Sequence, residues 1–479
     1  MSSAAPLLGS RPADDGHQQE RRRCSSWLGP VVDTEEAWAQ LRFSGPMILM
    51  NMFYYGIPLV SVMFSGHLGD VELAGATLGN SWVTVTGYAF VIGLSGGLET
   101  LCGQAFGAGL YRRLGLYLQS SLIMSAAASA LVSVLWVFTE PVLLLLRQEP
   151  RVSRAAAGFV RAQIPGLFAF ASLQCLLRYL QMQSVVLPLV AFSAASFALH
   201  VALAYLLVAV LGLGIAGASA AVSVTFWAAC LMLLAYVLRS EAFSETWTGF
   251  SAEAFGYVLP TVKLAAPSAV MVCFEYWAFE LLVLVAGLLP NSTVSTSLIA
   301  ICTSTETIAY MITYGFSAAV STRVSNEIGA GNVDKAKNAV TVTMKLSVLL
   351  GISFVLFLAF CHDLWASLYS GSAVIVSEFA AIAPLLIVSI VLDSAQGVLS
   401  GSVGWPDLRA SVPSLLAACD HRPHQVVQDR GGDAEGEGQL RGRIEDCCSR
   451  RRPPSLQSSA GRMARPLFFF EKILWCLRI

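Results

Sequence analysis

Between residues 44 and 400 the chain passes ten times through an apolar stretch of about 20 residues. The stretches lie near 44–65, 73–98, 116–138, 155–180, 186–208, 212–238, 260–288, 294–320, 338–360 and 375–400. A helix of about 20 residues crosses the hydrocarbon core of a bilayer. Lipid offers the backbone no hydrogen bonds, so each such run must be a helix that satisfies its own N–H and C=O groups. Composition agrees: 55% of the chain is hydrophobic and 13% is charged, where a soluble domain carries about 25% charged residues. The expected class is an all-α polytopic membrane protein. Pro58, Pro165 and Pro384 fall inside three of the stretches, which helix bundles tolerate where neighbouring helices satisfy the freed backbone groups.

Other classes are disfavoured. A net charge of −1 supplies no basic field for nucleic acid. The eleven cysteines include one adjacent pair, Cys447–Cys448, and no CxxC or Cys/His ligand spacing, so neither a zinc site nor a disulfide framework is expected. Cys102, Cys175, Cys230 and Cys273 sit in apolar runs, where cysteine behaves as a small hydrophobe. Gly107–Gly109 and Gly329–Gly331 are GAG triplets without the GxxxxGK[ST] pattern and read as tight turns rather than phosphate cradles. With no nucleotide motif and no nucleophile–base arrangement, neither an enzyme nor a cofactor is expected.

Basic residues give the orientation. With the N-terminus in the cytosol, the cytosolic connections carry Arg112 and Arg113, Arg239 and Lys263, and Arg323, Lys335 and Lys337. The opposite connections Leu211–Gly214 and Pro290–Ser295 carry none. Arg147, Arg151 and Arg154 depart from this pattern. The sequon Asn291-Ser292-Thr293 falls in an external loop, although such triplets also arise by chance. Arg21-Arg22-Arg23 leads into an acidic, polar stretch rather than an apolar core, so residues 1–40 are expected to form a disordered cytosolic tail, not a secretory signal.

The sequence also repeats itself. Val91–Gly109 reads VIGLSGGLETLCGQAFGAG, and Thr313–Gly331 reads TYGFSAAVSTRVSNEIGAG. Gly93 and Gly315, Ser95 and Ser317, Thr100 and Thr322, and Gly107 and Gly329 all pair at an offset of 222. Pro46 pairs with Pro267 at 221, and Pro165 with Pro384 at 219. The offset spans six helices, an even number, so two halves of like orientation are expected. Parallel repeats of this kind are related by an axis along the membrane normal, and transport sites lie between them. The reading is two pseudo-symmetric lobes: helices 1–6 over residues 41–240, a cytosolic linker over 241–258, and helices 7–10 over 259–401.

After Gly401 the character changes. Asp420, Asp429, Arg430, Asp433, Glu435, Glu437 and Arg441 crowd a stretch with no spanning run, and the apolar Pro466–Ile479 is too short to cross. Duplication calls for two more helices here, to make twelve. Residues 402–479 are therefore read as a polar tail produced by a reading-frame change or a retained intron, with a regulatory cytosolic tail as the other reading.

Four motifs carry a family resemblance: GHLG at Gly66–Gly69, GLETLCGQAFGAG at Gly97–Gly109, LRYLQMQSVVLP at Leu177–Pro188 and RVSNEIGAGN at Arg323–Asn332. Together they resemble the multidrug and toxic compound extrusion family, in particular its plant DETOXIFICATION branch, over roughly residues 35–401. The resemblance implies twelve helices in two six-helix lobes. It implies a secondary active transporter that exports organic solutes or xenobiotics in exchange for protons, with the proton gradient as its energy source. The other readings are a lipid-linked saccharide flippase, a non-transporting receptor or scaffold, and an inactive truncated product of a transporter gene. Expected partners are a small organic substrate, protons and the lipid bilayer. The protein is expected to be a monomer in the plasma membrane or the vacuolar membrane.

Carboxylates at bilayer depth carry the coupling hypothesis. An ionised side chain there costs about 2.5–3.5 kcal/mol on insertion scales, and desolvation favours the neutral form. A carboxylate able to hold either a proton or a cationic substrate gives exchange directly, because loading one expels the other. Glu275 in the seventh stretch, Glu306 in the eighth and Asp393 in the tenth are the candidates, expected as one cluster; a structural hydrogen bond is the competing role for each. Glu306 and Tyr310 are four residues apart and share a helix face. Glu280 and Glu99 are weaker candidates, and His200 reads as a packing residue.

In the first half, neutral polar groups replace the acids: Gln174 stands at the position of Asp393, at an offset of 219. Asn51, Asn80 and Gln174 are expected to shape the substrate cavity. Tyr55, Tyr276 and Tyr310 are candidates for an aromatic lining that suits flat or cationic molecules, with Tyr54, Tyr314 and Trp277 nearby in sequence. Packing between helices is the alternative for each.

Overall fold

The computed structural model describes residues 34–286, 292–369 and 373–402, and every regular element among them is helical. The sequon asparagine and the tail beyond 402 lie outside the described residues. Ten long helices follow one another: α1 Thr34–Gly66, α2 Asp70–Gly107, α3 Tyr111–Val137, α4 Pro150–Met182, α5 Leu187–Val210, α6 Gly214–Arg239, α7 Ala254–Ala286, α8 Ser292–Gly329, α9 Val333–Tyr369 and α10 Ala373–Ser402. A short helix, Thr139–Leu145, precedes α4. Two helices contain a π-helical turn, at Thr84–Tyr88 in α2 and at Tyr205–Val210 in α5.

All ten apolar stretches fall on these helices. Nine of the ten are long and apolar enough to cross a membrane by length and composition; α8 is the other. It carries Glu306, Arg323 and Glu327 and many hydroxyls. Those hydroxyls turn back onto their own helix, as in Thr303 to Ile299 O at 2.9 Å, Thr305 to Ile301 O at 2.8 Å and Thr307 to Thr303 O at 2.7 Å. Such back-bonding lets a polar sequence remain a helix among apolar neighbours.

Two boundaries differ from the sequence reading. Helix α1 starts at Thr34, within the expected 1–40 tail. Glu35 and Glu36 lie in its first turn, where negative charge complements the helix dipole. Glu36 also accepts from Gln40 Nε2 at 2.9 Å and from Arg323 Nη2 at 2.7 Å, so this turn is held by partners. Helix α7 starts at Ala254, inside the 241–258 linker. The linker itself is strapped to α3: Gln119 donates to Gly249 O at 2.8 Å and accepts from Ser251 N at 2.8 Å.

In the first six helices α4 touches α2, α3 and α6, while α1 and α5 pack on each other and on α6. Ile57, Leu98, Trp136, Leu167, Tyr179 and Phe226 form the buried centre of this bundle. Leu298, Leu358, Phe379 and Leu386 form a second core between α8, α9 and α10. Lipid tails are as apolar as these side chains, so close packing and hydrogen bonds hold the helices together. His200 is such a bond: fully buried, its Nε2 lies 3.1 Å from Ser61 Oγ of α1 and its Nδ1 lies 3.0 Å from Thr225 Oγ1 of α6.

The halves meet through α1 against α8 and α7 against α2. The repeat equates α1 with α7 and α2 with α8, so these are one contact made twice. Glycines show the symmetry in detail. Gly107 of α2 lies against the Asn326 carbonyl and Gly329 of α8 against the Gln104 carbonyl, with no room for a Cβ at either. The repeat offset of 222 relates Gly107 to Gly329 and Gln104 to Asn326, so each contact is the other with the halves exchanged. Farther along, Gly93 meets the Ala269 backbone and Gly315 meets Ile48.

Candidate substrate cavity

A cavity of about 630 Å³ lies between the halves. Helix α1 brings Asn51, Tyr54 and Tyr55 to its wall, α2 brings Asn80 and Glu99, and α4 brings Gln174 and Arg178. The second half contributes Glu275, Tyr276 and Glu280 from α7 and Glu306, Tyr310 and Tyr314 from α8. The six residues expected to shape a cavity, Asn51, Tyr55, Asn80, Gln174, Tyr276 and Tyr310, thus share one space. Trp277 is not among the lining residues; its indole N–H donates to Val85 O of α2 at 3.2 Å.

The three acids are spread over two spaces that share Glu306. Glu275 and Glu306 line the large cavity, whereas Asp393 lies behind it. A second pocket, about 10 Å³ in volume, is lined by Glu306, Tyr310, Thr313, Asp393 and Ser394. That is room for about one water molecule. Glu306 therefore belongs to both spaces. It is buried at 5% exposure, and its Oε1 accepts from Ser389 Oγ of α10 at 2.7 Å. Hydroxyls fix the rest of the small pocket: Thr313 Oγ1 lies 3.3 Å from Ser394 Oγ, and Ser347 Oγ donates to Ser394 O at 2.8 Å. Tyr310 and Tyr314 pack in a tilted pair with ring centroids 5.8 Å apart, so α8 presents acid and aromatic face together.

The sequence reading missed Arg178. This guanidinium is 7% exposed and pairs with Glu99 Oε2 at 2.9 Å. It also donates from Nη1 to Gln181 Oε1 at 3.3 Å and from Nη2 to the Tyr314 hydroxyl. Glu99, a weaker candidate in the sequence, is thus an ion-pair partner in the cavity wall. The signal was partial: Arg178 lies near the end of the fourth apolar stretch and Glu99 just past the end of the second, and ions at bilayer depth pair. Among the described residues, no cluster of three or more His, Cys, Asp or Glu side chains could hold a metal ion.

Comparison with known proteins places this geometry. Residues 46–206 and 267–404 match the MatE family model. The chain is 52% identical over 399 residues to Protein DETOXIFICATION 18 of Arabidopsis thaliana, covering 82% of this chain and 85% of that protein. It is 42% identical over 381 residues to Protein DETOXIFICATION 16 of Arabidopsis thaliana, covering 79% and 78%. Among solved structures, the eukaryotic MATE transporter AtDTX14 superposes with a TM-score of 0.73 at 35% identity, over 77% of this chain and 82% of that one. A mutant of the Vibrio cholerae MATE transporter VcmN shares the fold, with a TM-score of 0.65 at 15% identity, over 77% and 86%. An all-helical, multi-pass chain with a cavity between duplicated halves and this likeness belongs to the MatE family of membrane transporters.

Proposed function

We propose that this chain is a proton-coupled antiporter that exports organic solutes, with Glu275, Glu306 and Asp393 as its exchanging groups. The observation that carries the reading is the position of Glu306, in the wall of the large cavity and in the small pocket that holds Asp393. A proton on either acid is thereby within one pocket of whatever occupies the cavity. Protonation makes a buried carboxylate neutral and removes most of its desolvation cost. A cationic substrate stabilises the ionised form instead, so the two loads compete.

A volume of about 630 Å³ suits one drug-sized molecule. Tyr55, Tyr276 and Tyr310 on its walls favour flat or cationic solutes through stacking and cation–π contact. No cofactor enters; the proton gradient supplies the energy, and the protein works as a monomer in the plasma or vacuolar membrane.

Reconstitution with an imposed pH gradient tests this. Glu306→Gln keeps the shape of the side chain and removes its titration. It is expected to abolish gradient-driven uptake of a fluorescent organic cation while leaving the binding of that cation measurable. Full-rate uptake with unchanged pH dependence in Glu275→Gln, Glu306→Gln and Asp393→Asn would overturn the assignment.

A further inference from the structure

Along the cavity wall, toward the turns that join α2 to α3 and α8 to α9, the end of α4 is sewn to α8. Gln181 Nε2 donates to Ala318 O at 3.3 Å and lies 3.4 Å from Thr322 Oγ1. Asn326 Nδ2 donates to Met182 O at 3.1 Å. One turn above Gln181, also in the cavity wall, Arg178 donates to the Tyr314 hydroxyl, and its guanidinium carbon lies 5.8 Å from the centre of the Tyr314 ring. Arg178 belongs to the first half and Tyr314 to the second. Theirs is the uppermost of these cross-half contacts, and it is made by a buried ion.

We infer that Arg178 is a positioning residue whose hydrogen bond to Tyr314 holds the α4–α8 seam shut on the side of the α2–α3 and α8–α9 turns. This goes beyond the antiport reading and rests on one requirement of it, that exchange across a membrane needs a cavity opening alternately to the two sides. Glu99 fixes the guanidinium in place, and Gln181 ties it to the next contact down the seam. Tyr314 continues the path upward, because its ring packs against Tyr310, which shares the small pocket with Glu306 and Asp393. Any shift of α8 that follows loading of that pocket therefore reaches Arg178 through two tyrosines.

The lock is incompletely satisfied. Arg178 Nε is buried and has no hydrogen-bond partner among the described residues. A buried donor without a partner raises the energy of the state that contains it. The pair also has no copy in the second half: the repeat places Ser321 opposite Glu99 and Gly397 opposite Arg178, at offsets of 222 and 219.

The test uses the full-length transporter in sealed vesicles, without substrate or gradient, so it does not depend on proton coupling. Ser321, which lines the cavity near the seam, is replaced by cysteine in a background whose native cysteines are replaced. A membrane-impermeant maleimide is applied from the side of the α2–α3 turn. Tyr314→Phe removes the acceptor oxygen and keeps the ring. Arg178→Lys keeps a cation for Glu99 and loses the fork that reaches Tyr314. Both are expected to raise the labelling rate about tenfold, the effect of losing one charge-assisted hydrogen bond. A role that is only structural would lower the melting temperature and leave labelling per folded molecule unchanged, and that result would overturn the proposal. In parallel, Tyr314→Phe is expected to change kcat for transport more than KM.

Discussion

The Ser389 hydroxyl donates a 2.7 Å hydrogen bond to Glu306 Oε1 and so joins α10 to α8 at the cavity wall. At the equivalent repeat positions the first half has Phe170 and Thr84. The halves share a scaffold, and the acid with its donor exists in only one of them.

Removing that donor is predicted to weaken transport without abolishing it. Hydrogen bonds to charged groups contribute about 1.5–3 kcal/mol, so Ser389→Ala is expected to reduce the gradient-driven rate roughly tenfold and to alter its pH profile. Initial uptake rates across a pH series in proteoliposomes measure both effects. An unchanged profile would mean that the hydroxyl does not tune Glu306.

The glycine crossing gives a steric prediction. Alanine at Gly107 or Gly329 would drive a methyl group into a carbonyl of the facing helix, and overpacking of this kind costs about 1–3 kcal/mol. Each is expected to lower the melting temperature in detergent, and by similar amounts because the two sites are repeat equivalents. Gly158 and Gly256 have open space around the position of a Cβ. Alanine there is expected to leave stability unchanged or raise it slightly, since glycine within a helix costs about 0.5–1 kcal/mol relative to alanine.

Glu36 and Arg323 form a two-pronged pair between α1 and α8, with distances of 3.2 and 2.7 Å. Arg323 is 36% exposed at its side chain, so solvent screening limits the pair to about 1 kcal/mol. A double-mutant cycle with Glu36→Gln and Arg323→Gln, read by thermal unfolding, is expected to give coupling of that order. Arg323→Lys is expected to restore only part of it, because lysine cannot make both prongs.

Histidine as a residue type invites a pH-sensing role, but both ring nitrogens of His200 are engaged, by Ser61 and Thr225. His200→Ala is expected to destabilise the first bundle by about 2–4 kcal/mol through lost bonds and a new cavity. The pH profile of the remaining transport should not move. A shifted profile would instead make His200 part of the coupling machinery.

The ten helices were legible because each is an apolar run of membrane length, and the two halves were legible because glycines recur where helices cross. Less visible was what depends on which faces meet. Arg178 stands in the fourth apolar stretch and Glu99 just past the second, and only their packing shows that one ion answers the other. Asp393 was correctly read as deep within the tenth stretch, yet depth along a helix does not say whether a side chain faces the large cavity or the pocket behind it. The start of α1 at Thr34 was obscured for a related reason: its first turns are polar and are held by Gln40 and Arg323 rather than by hydrophobicity.

The π-helical turn at Thr84–Tyr88 has a consequence for register. Side chains on an α-helix advance by about 100° per residue, so positions nineteen apart, such as Asn80 and Glu99, would point roughly 100° from each other. A π turn takes up about one extra residue, which reduces the effective separation to eighteen, or five whole turns. Asn80 and Glu99 accordingly face the same way, and both line the cavity. Helix α8 has no such turn, and its equivalent pair diverges: Ser321 lines the cavity while Cys302 is buried in the second core. One inserted residue's worth of winding thus decides how much of α2 the substrate can meet, and it makes the two duplicated walls chemically unlike.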